Sequence, residues 1–177
     1  EMQPYCSLMG GGWIGPERDF GVPPSCARKV MAFLEARPAV LHLDELINKK
    51  DPVQVRFLLQ RLIQQKMPIQ VAFLQGCIPL QDDQLFPRLL DLLVSSPLWS
   101  VNLGEIRLSD EQCERLASVL QESGVTHMFY ECTVAGQWKE VFRTLIRENR
   151  SKHGFYRLGA PRHTGAPAPP TRPAAAA

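Results

Sequence analysis

Two kinds of pattern alternate along the chain. A short stretch with an apolar residue at every second or third position is followed by a polar turn and then by a longer run with apolar residues at helical spacing. The first such unit is Pro38-Ala-Val-Leu-His-Leu43 followed by 51–66, and the second is Ile69-Gln-Val-Ala-Phe-Leu74 followed by 81–95. The third is Leu98-Trp-Ser-Val-Asn-Leu103 followed by 109–122, and the fourth is Val125-Thr-His-Met-Phe-Tyr130 followed by 135–149. The units start at 38, 69, 98 and 125, so they repeat at intervals of 31, 29 and 27 residues.

The longer runs read as amphipathic helices. Val55, Leu58, Leu59 and Leu62 fall at i, i+3, i+4 and i+7, as do Trp138, Val141, Phe142 and Leu145, and Leu85, Leu89, Leu92 and Leu93 continue the same stripe. Ser109 with Gln112 has the spacing of a capping box immediately before Cys113, Leu116 and Leu120, which predicts where that helix begins. An earlier run, with Ala27, Val30, Met31 and Leu34 and with Ser25 as its N-cap, predicts a helix that closes the front of the array. The short stretches are too brief for helices and read as strands. One strand–turn–helix unit cannot bury its own apolar face, so the units are expected to stack, with strands side by side in a parallel sheet and helices on the outside.

Leu98-x-x-Val101-x-Leu103, Val125-x-x-Met128-x-Tyr130 and Ile69-x-x-Ala72-x-Leu74 resemble the L-x-x-L-x-L core of leucine-rich repeats. Cys77 stands where that pattern often has Asn or Cys, while Ile106 and Thr133 occupy the place in the last two units. The unit length and the full helix per unit resemble the ribonuclease-inhibitor-like subclass. The resemblance covers roughly 25–149. It implies a short α/β solenoid with strands on a concave face and helices on a convex one. The expected organisation is an irregular arm over 1–24, the array over 25–150 and a disordered basic tail over 151–177.

Period two decides which letters of each strand leave the core. The apolar letters point inward, so Val40, His42 and Asp44, then Val71, Phe73 and Gln75, then Ser100, Asn102 and Glu105, then His127, Phe129 and Glu131 are expected on the open face. From these His42, Val71, Phe73, Asn102, His127, Phe129 and Glu131 make the candidate partner-binding set, because exposed aromatic and aliphatic residues rimmed by polar groups suit a recognition patch.

Composition narrows the function without naming it. The 177 residues are 45% apolar and 21% charged, with a net charge of +2, and no run approaches the ~18–20 apolar residues of a membrane span. Residues 1–20 lack a basic stretch followed by an apolar core, so no secretory signal is expected there. From Arg150 onward there are five Arg or Lys and no acid, leaving 1–149 with 15 basic against 18 acidic residues. The body of the fold is therefore not expected to be a nucleic-acid surface. Pro167, Pro170 and Pro173 give two overlapping PxxP spacings in the tail, which suit an extended polyproline II segment. The five cysteines, at 6, 26, 77, 113 and 132, form no CxxC pair and read as buried thiols in an intracellular compartment.

Motifs for chemistry are weak. Gly10-x-Gly12-x-x-Gly15 matches a dinucleotide fingerprint in letters, but it is neither preceded by a strand nor followed by a helix of adequate length. The four histidines share no metal-ligand spacing, and neither a nucleophile elbow nor a P-loop is present. No cofactor and no catalytic centre are expected. The reading is a non-catalytic protein–protein interaction module or scaffold subunit of a larger assembly. Two rivals are an RNA- or phosphate-associated subunit that uses the basic tail and a segment of an enzyme whose site lies elsewhere.

Overall fold

The computed structural model describes residues 21–130 and 136–153. The arm over 1–20, the tail beyond residue 153, and Glu131 with Cys132 and Thr133 lie outside the described residues. Within them the chain is mixed α/β. In order come α1 (Pro24–Ala36), β1 (Val40–His42), α2 (Leu43–Leu46), α3 (Pro52–Gln64), β2 (Val71–Phe73), a 3-10 turn (Ile78–Gln81), α4 (Phe86–Ser95), β3 (Ser100–Asn102), α5 (Asp110–Glu122), β4 (His127–Phe129) and α6 (Gly136–His153).

The four strands pair in sequence order as one parallel sheet. Val40, Val71, Ser100 and His127 form one row across it, Leu41, Ala72, Val101 and Met128 the next, and His42, Phe73, Asn102 and Phe129 the third. Equivalent letters of the repeat therefore stand side by side. The middle row faces the core, with Leu41, Ala72 and Val101 buried, and Leu43, Leu74 and Leu103 are buried one step further along. A strand letter that points into helices on one face leaves its neighbours pointing away from them. Helices α3, α4, α5 and α6 pack each on the next in the same order as the strands.

Local sequence sets the element boundaries. Asp51 caps α3 by accepting from the Val53 N–H at 2.9 Å, with Pro52 in the first helical position, where its missing N–H costs nothing. Ser109 and Gln112 form the expected reciprocal box at the start of α5. Arg37, in the left-handed region at φ 47°, ends α1 by returning its N–H to Phe33 and Leu34.

Four expectations are corrected. Helix α1 begins at Pro24, so Ser25 lies inside it rather than capping it, because a proline takes the first helical position more readily than a serine one residue later. Helix α4 begins at Phe86 rather than near 81, since Ile78–Gln81 closes a 3-10 turn and Pro87 occupies the first turn of the helix proper. Asp44 does not continue the first strand but lies in the short helix α2. Helix α6 runs to His153, and its buried face is Phe142, Leu145, Ile146 and Asn149, while Val141 is 40% exposed. The stripe is rotated because, among the described residues, α6 has a helix neighbour, α5, on one side only. Trp138 and Tyr130 close that contact: the Trp138 indole donates to Asp110 Oδ1 at 2.8 Å, and the Tyr130 and Phe142 rings meet edge to face at 5.6 Å.

Polar groups fill the few gaps in the helix layer. Buried Gln112 donates through Nε2 to the Gln81 carbonyl at 2.8 Å and to Asp83 at 3.2 Å, tying α5 to the turn before α4. Buried Asn149 donates to the carbonyls of Leu120 and Val125 at 2.8 and 2.9 Å, and Arg150 donates to the Thr126 carbonyl at 2.7 Å. The last turns of α6 are thus fixed to the backbone that leads into β4. Each buried carbonyl would cost about 1–3 kcal/mol if left unpaired.

Candidate functional site

The open face of the sheet is built from the first and third rows of letters. Its third row holds His42, Phe73, Asn102 and Phe129 in register. The imidazole of His42 and the ring of Phe73 stack at 4.6 Å between centroids and 10° between planes. That separation is close to the spacing of neighbouring strands, about 4.8 Å, so the strand register itself brings the rings together. Phe73 is 41% exposed and Phe129 52%, which leaves much of each ring open on a face whose reverse side is packed.

Asn102 stands between them and is half-buried. Its Oδ1 accepts from the Gly104 N–H at 2.9 Å and its Nδ2 donates to Gln75 Oε1 at 3.4 Å. The amide thus holds the turn that follows β3 as well as facing outward. A side chain at Gly104 would crowd Asn102 Oδ1 at 3.2 Å and meet the Phe129 ring at 3.5 Å, so the glycine lets Phe129 lie against that turn.

A chain of polar contacts runs along the carboxyl ends of the strands. Lys49 Nζ donates to the Gln75 carbonyl at 2.9 Å and to Asp44 Oδ2 at 3.2 Å, and Gln75 Nε2 donates to Glu105 Oε1 at 2.9 Å. Gly76, at φ 69°, makes room for it: a Cβ there would sit 3.1 Å from Glu105 Oε2 and 3.2 Å from Lys49 Nζ. Asp44, Gln75 and Glu105 were expected on this face, and Lys49 was not. Its contribution comes from a turn, where alternation carries no signal.

The first row is less open than alternation suggests. Val40 is 37% exposed, but Val71 is 7% exposed and is withdrawn from the candidate set as a surface residue. Val71 lies on an interior strand between Val40 and Ser100, and its short branched side chain is sheltered by those neighbours, whereas the longer Phe73 projects past its own. His127 is half-buried: the Trp99 ring meets it edge-on at 5.4 Å, and Thr126 Oγ1 lies 3.0 Å from its Nδ1. Desolvation, and then the nearby Arg150 cation, hold its pKa below the ordinary histidine value. Glu131 lies outside the described residues.

The remaining sequence candidates do not converge on this face. Burial pushes the thiol of Cys77 up to about 12 and that of Cys113 to about 11, so both stay protonated inside the core, and Cys26 is raised as well. Cys77 and Ile106, which occupy the same place in successive units, are both fully buried. Among the described residues no group of three or more His, Cys, Asp or Glu side chains is arranged to hold a metal ion, and no helix is long and apolar enough to cross a membrane. What the geometry offers is a stiff row of two exposed aromatic rings, a stacked imidazole and an intervening amide, bordered at the carboxyl ends of the strands by Asp44, Lys49 and Glu105. In comparisons with protein-family models, curated proteins and solved structures, no match to this chain was found.

Proposed function

We propose that the chain is a short leucine-rich-repeat-like solenoid that serves as a non-catalytic protein–protein interaction module, docking a partner on its concave strand face within a larger assembly. The observation that carries this reading is the register of the third row, which sets Phe73 and Phe129 two strands apart on one face, both well exposed, with Asn102 between them. Large aromatic rings held rigidly at a surface supply contact area at little cost in ordering, and they are the residues that most often dominate interface energetics. The one-to-one pairing of equivalent letters and the stacking of successive helices support the solenoid.

The test is the double variant Phe73→Ala, Phe129→Ala, used as bait beside the parent chain in an affinity capture with quantified partners. Loss of an aromatic hot spot costs about 2 kcal/mol or more, roughly thirtyfold in affinity, so the variant should keep the parent's circular dichroism and melting temperature while losing its specific partners. Unchanged capture by a folded variant removes the strand face as the docking surface. Unfolding of the variant instead places the phenylalanines in the core.

A further inference from the structure

Three facts about the strand face and the sequence beyond it fit one another. Parallel strands lie about 4.8 Å apart, so Phe73 on β2 and Phe129 on β4, in register through Asn102, contact an occupant at points roughly 9.6 Å apart. A polyproline II helix repeats every three residues with a rise of about 3.1 Å each, so prolines at i and i+3 recur every ~9.3 Å. Beyond α6 the chain carries Pro167, Pro170 and Pro173, with that period of three.

We propose that the strand face is a polyproline II binding surface and that its occupant is the chain's own segment 167–173, laid across the strands from β4 toward β1. The inference rests on the strand face being a docking surface and adds what docks there. Reach is sufficient. The hydrogen bonds from Asn149 and Arg150 to the carbonyls of Val125 and Thr126 fix the end of α6 at the start of β4. Phe129 is three residues further along that strand, about 10 Å away. From His153 to Pro170 there are 17 residues, enough to span about 56 Å when extended.

Chain direction then sets the register of the contact. A segment arriving from the β4 side places Pro170 on Phe129 and Pro173 on Phe73, with Arg172 between them above β3. The turn after β3 carries the exposed Glu105, and Asp44 lies further along the same rim. Charge agrees: Arg172 is the one charged side chain of 167–173, and the rim carries two acids, Asp44 and Glu105, against one cation, Lys49. Polyproline II leaves its carbonyls free to accept, and the Asn102 side-chain amide, which stands in the ring row, carries N–H donors. The face is consequently self-covered, and an external partner binds it in competition with the segment.

The experiment uses the full chain and its triple variant Pro167→Ala, Pro170→Ala, Pro173→Ala, with a synthetic peptide of residues 165–175 as probe. NMR follows the ring signals of Phe73 and Phe129 and the side-chain amide of Asn102. The triple variant should differ from the parent at these three residues, independently of protein concentration. The peptide should reverse those shifts in the triple variant and should bind it at least tenfold more tightly than the parent, whose tethered segment competes at high effective concentration. Phe129→Ala added to the triple variant should weaken the peptide about thirtyfold. Equal peptide affinity for parent and triple variant, or peptide shifts away from the strand face, overturns the proposal. Shifts in the parent that depend on its concentration also overturn it, by assigning the segment to a second copy. If the peptide fails while the Phe73→Ala, Phe129→Ala variant still loses its captured partners, only the occupant is wrong and the docking face stands.

Discussion

Adjacent residues on β3 and just beyond it do opposite work. Leu103 is fully buried, and Leu103→Ala is expected to cost about 2–5 kcal/mol, because an interior position flanked by packed helices cannot collapse to fill the void. Asn102 faces outward, yet its Oδ1 accepts the Gly104 N–H, so Asn102→Ala should cost on the order of 1 kcal/mol rather than nothing. Thermal melts of the two variants check both, and a silent Asn102→Ala would mean that the turn holds without its amide. His127 carries a pH prediction. Its folded pKa lies below the ordinary value of 6.5, through desolvation first and the Arg150 cation second. Between those two values the unfolded chain binds more protons than the folded one. The stability linked to neutral His127 is therefore present in full above about pH 6.5 and is lost as the pH falls through the folded value. An NMR titration of its imidazole should give a midpoint below 6.5, and His127→Gln should flatten that part of the stability profile.

At the scale of elements, the helices owe their starts to local chemistry and their spacing to side chains that reach between units. Ser109→Ala removes one half of the box on α5 and should cost about 1 kcal/mol, the usual worth of an N-cap. Gln112→Leu should cost more, because it breaks the other half and also strips Nε2 from the Gln81 carbonyl and Asp83 of the preceding unit. Urea melts of both variants test the ranking. If Ser109→Ala proves the more damaging, the link between units is weaker than its geometry implies. The capping box was legible in the sequence because it lies within four neighbouring residues. The partner of Gln112 was not, since Gln81 is 31 positions away and the repeat brings neighbouring units together without saying which of their side chains meet.

For the whole molecule the sheet order fixes where stability resides. Strands β2 and β3 have a partner on each side, whereas β1 and β4 are paired on one side among the described residues. Amide hydrogen exchange should be slowest in the donors that bridge interior strands, such as the N–H of Leu74 to the Asn102 carbonyl and that of Gly76 to the Gly104 carbonyl, and faster in β1. Uniform protection across all four strands would show that the sheet opens only globally. The chain ends of the repeat also differ: α6 is tied down through Asn149 and Arg150, so Asn149→Ala should speed exchange in β4 more than in β2.

The repeat, the strand letters, the inward set of Leu41, Ala72 and Val101, and the outward placement of His42, Phe73, Asn102 and Phe129 follow from the sequence alone. They depend on periodicity, which the backbone geometry of a strand or helix converts directly into facing. The remaining features depend on neighbours. Val71 is sheltered although its letter points outward, because residues of the adjacent strands stand on both sides of it. Val141 is exposed although it lies on the apolar stripe, because among the described residues α6 packs against a helix, α5, on one side only. The stacking of His42 on Phe73, the bond from Asn102 to Gln75 and the reach of Lys49 to Gln75 join residues 26–31 positions apart. Such contacts exist only once parallel strands have been brought to their common spacing, and a one-dimensional pattern carries the facing of a side chain but not the identity of what it meets.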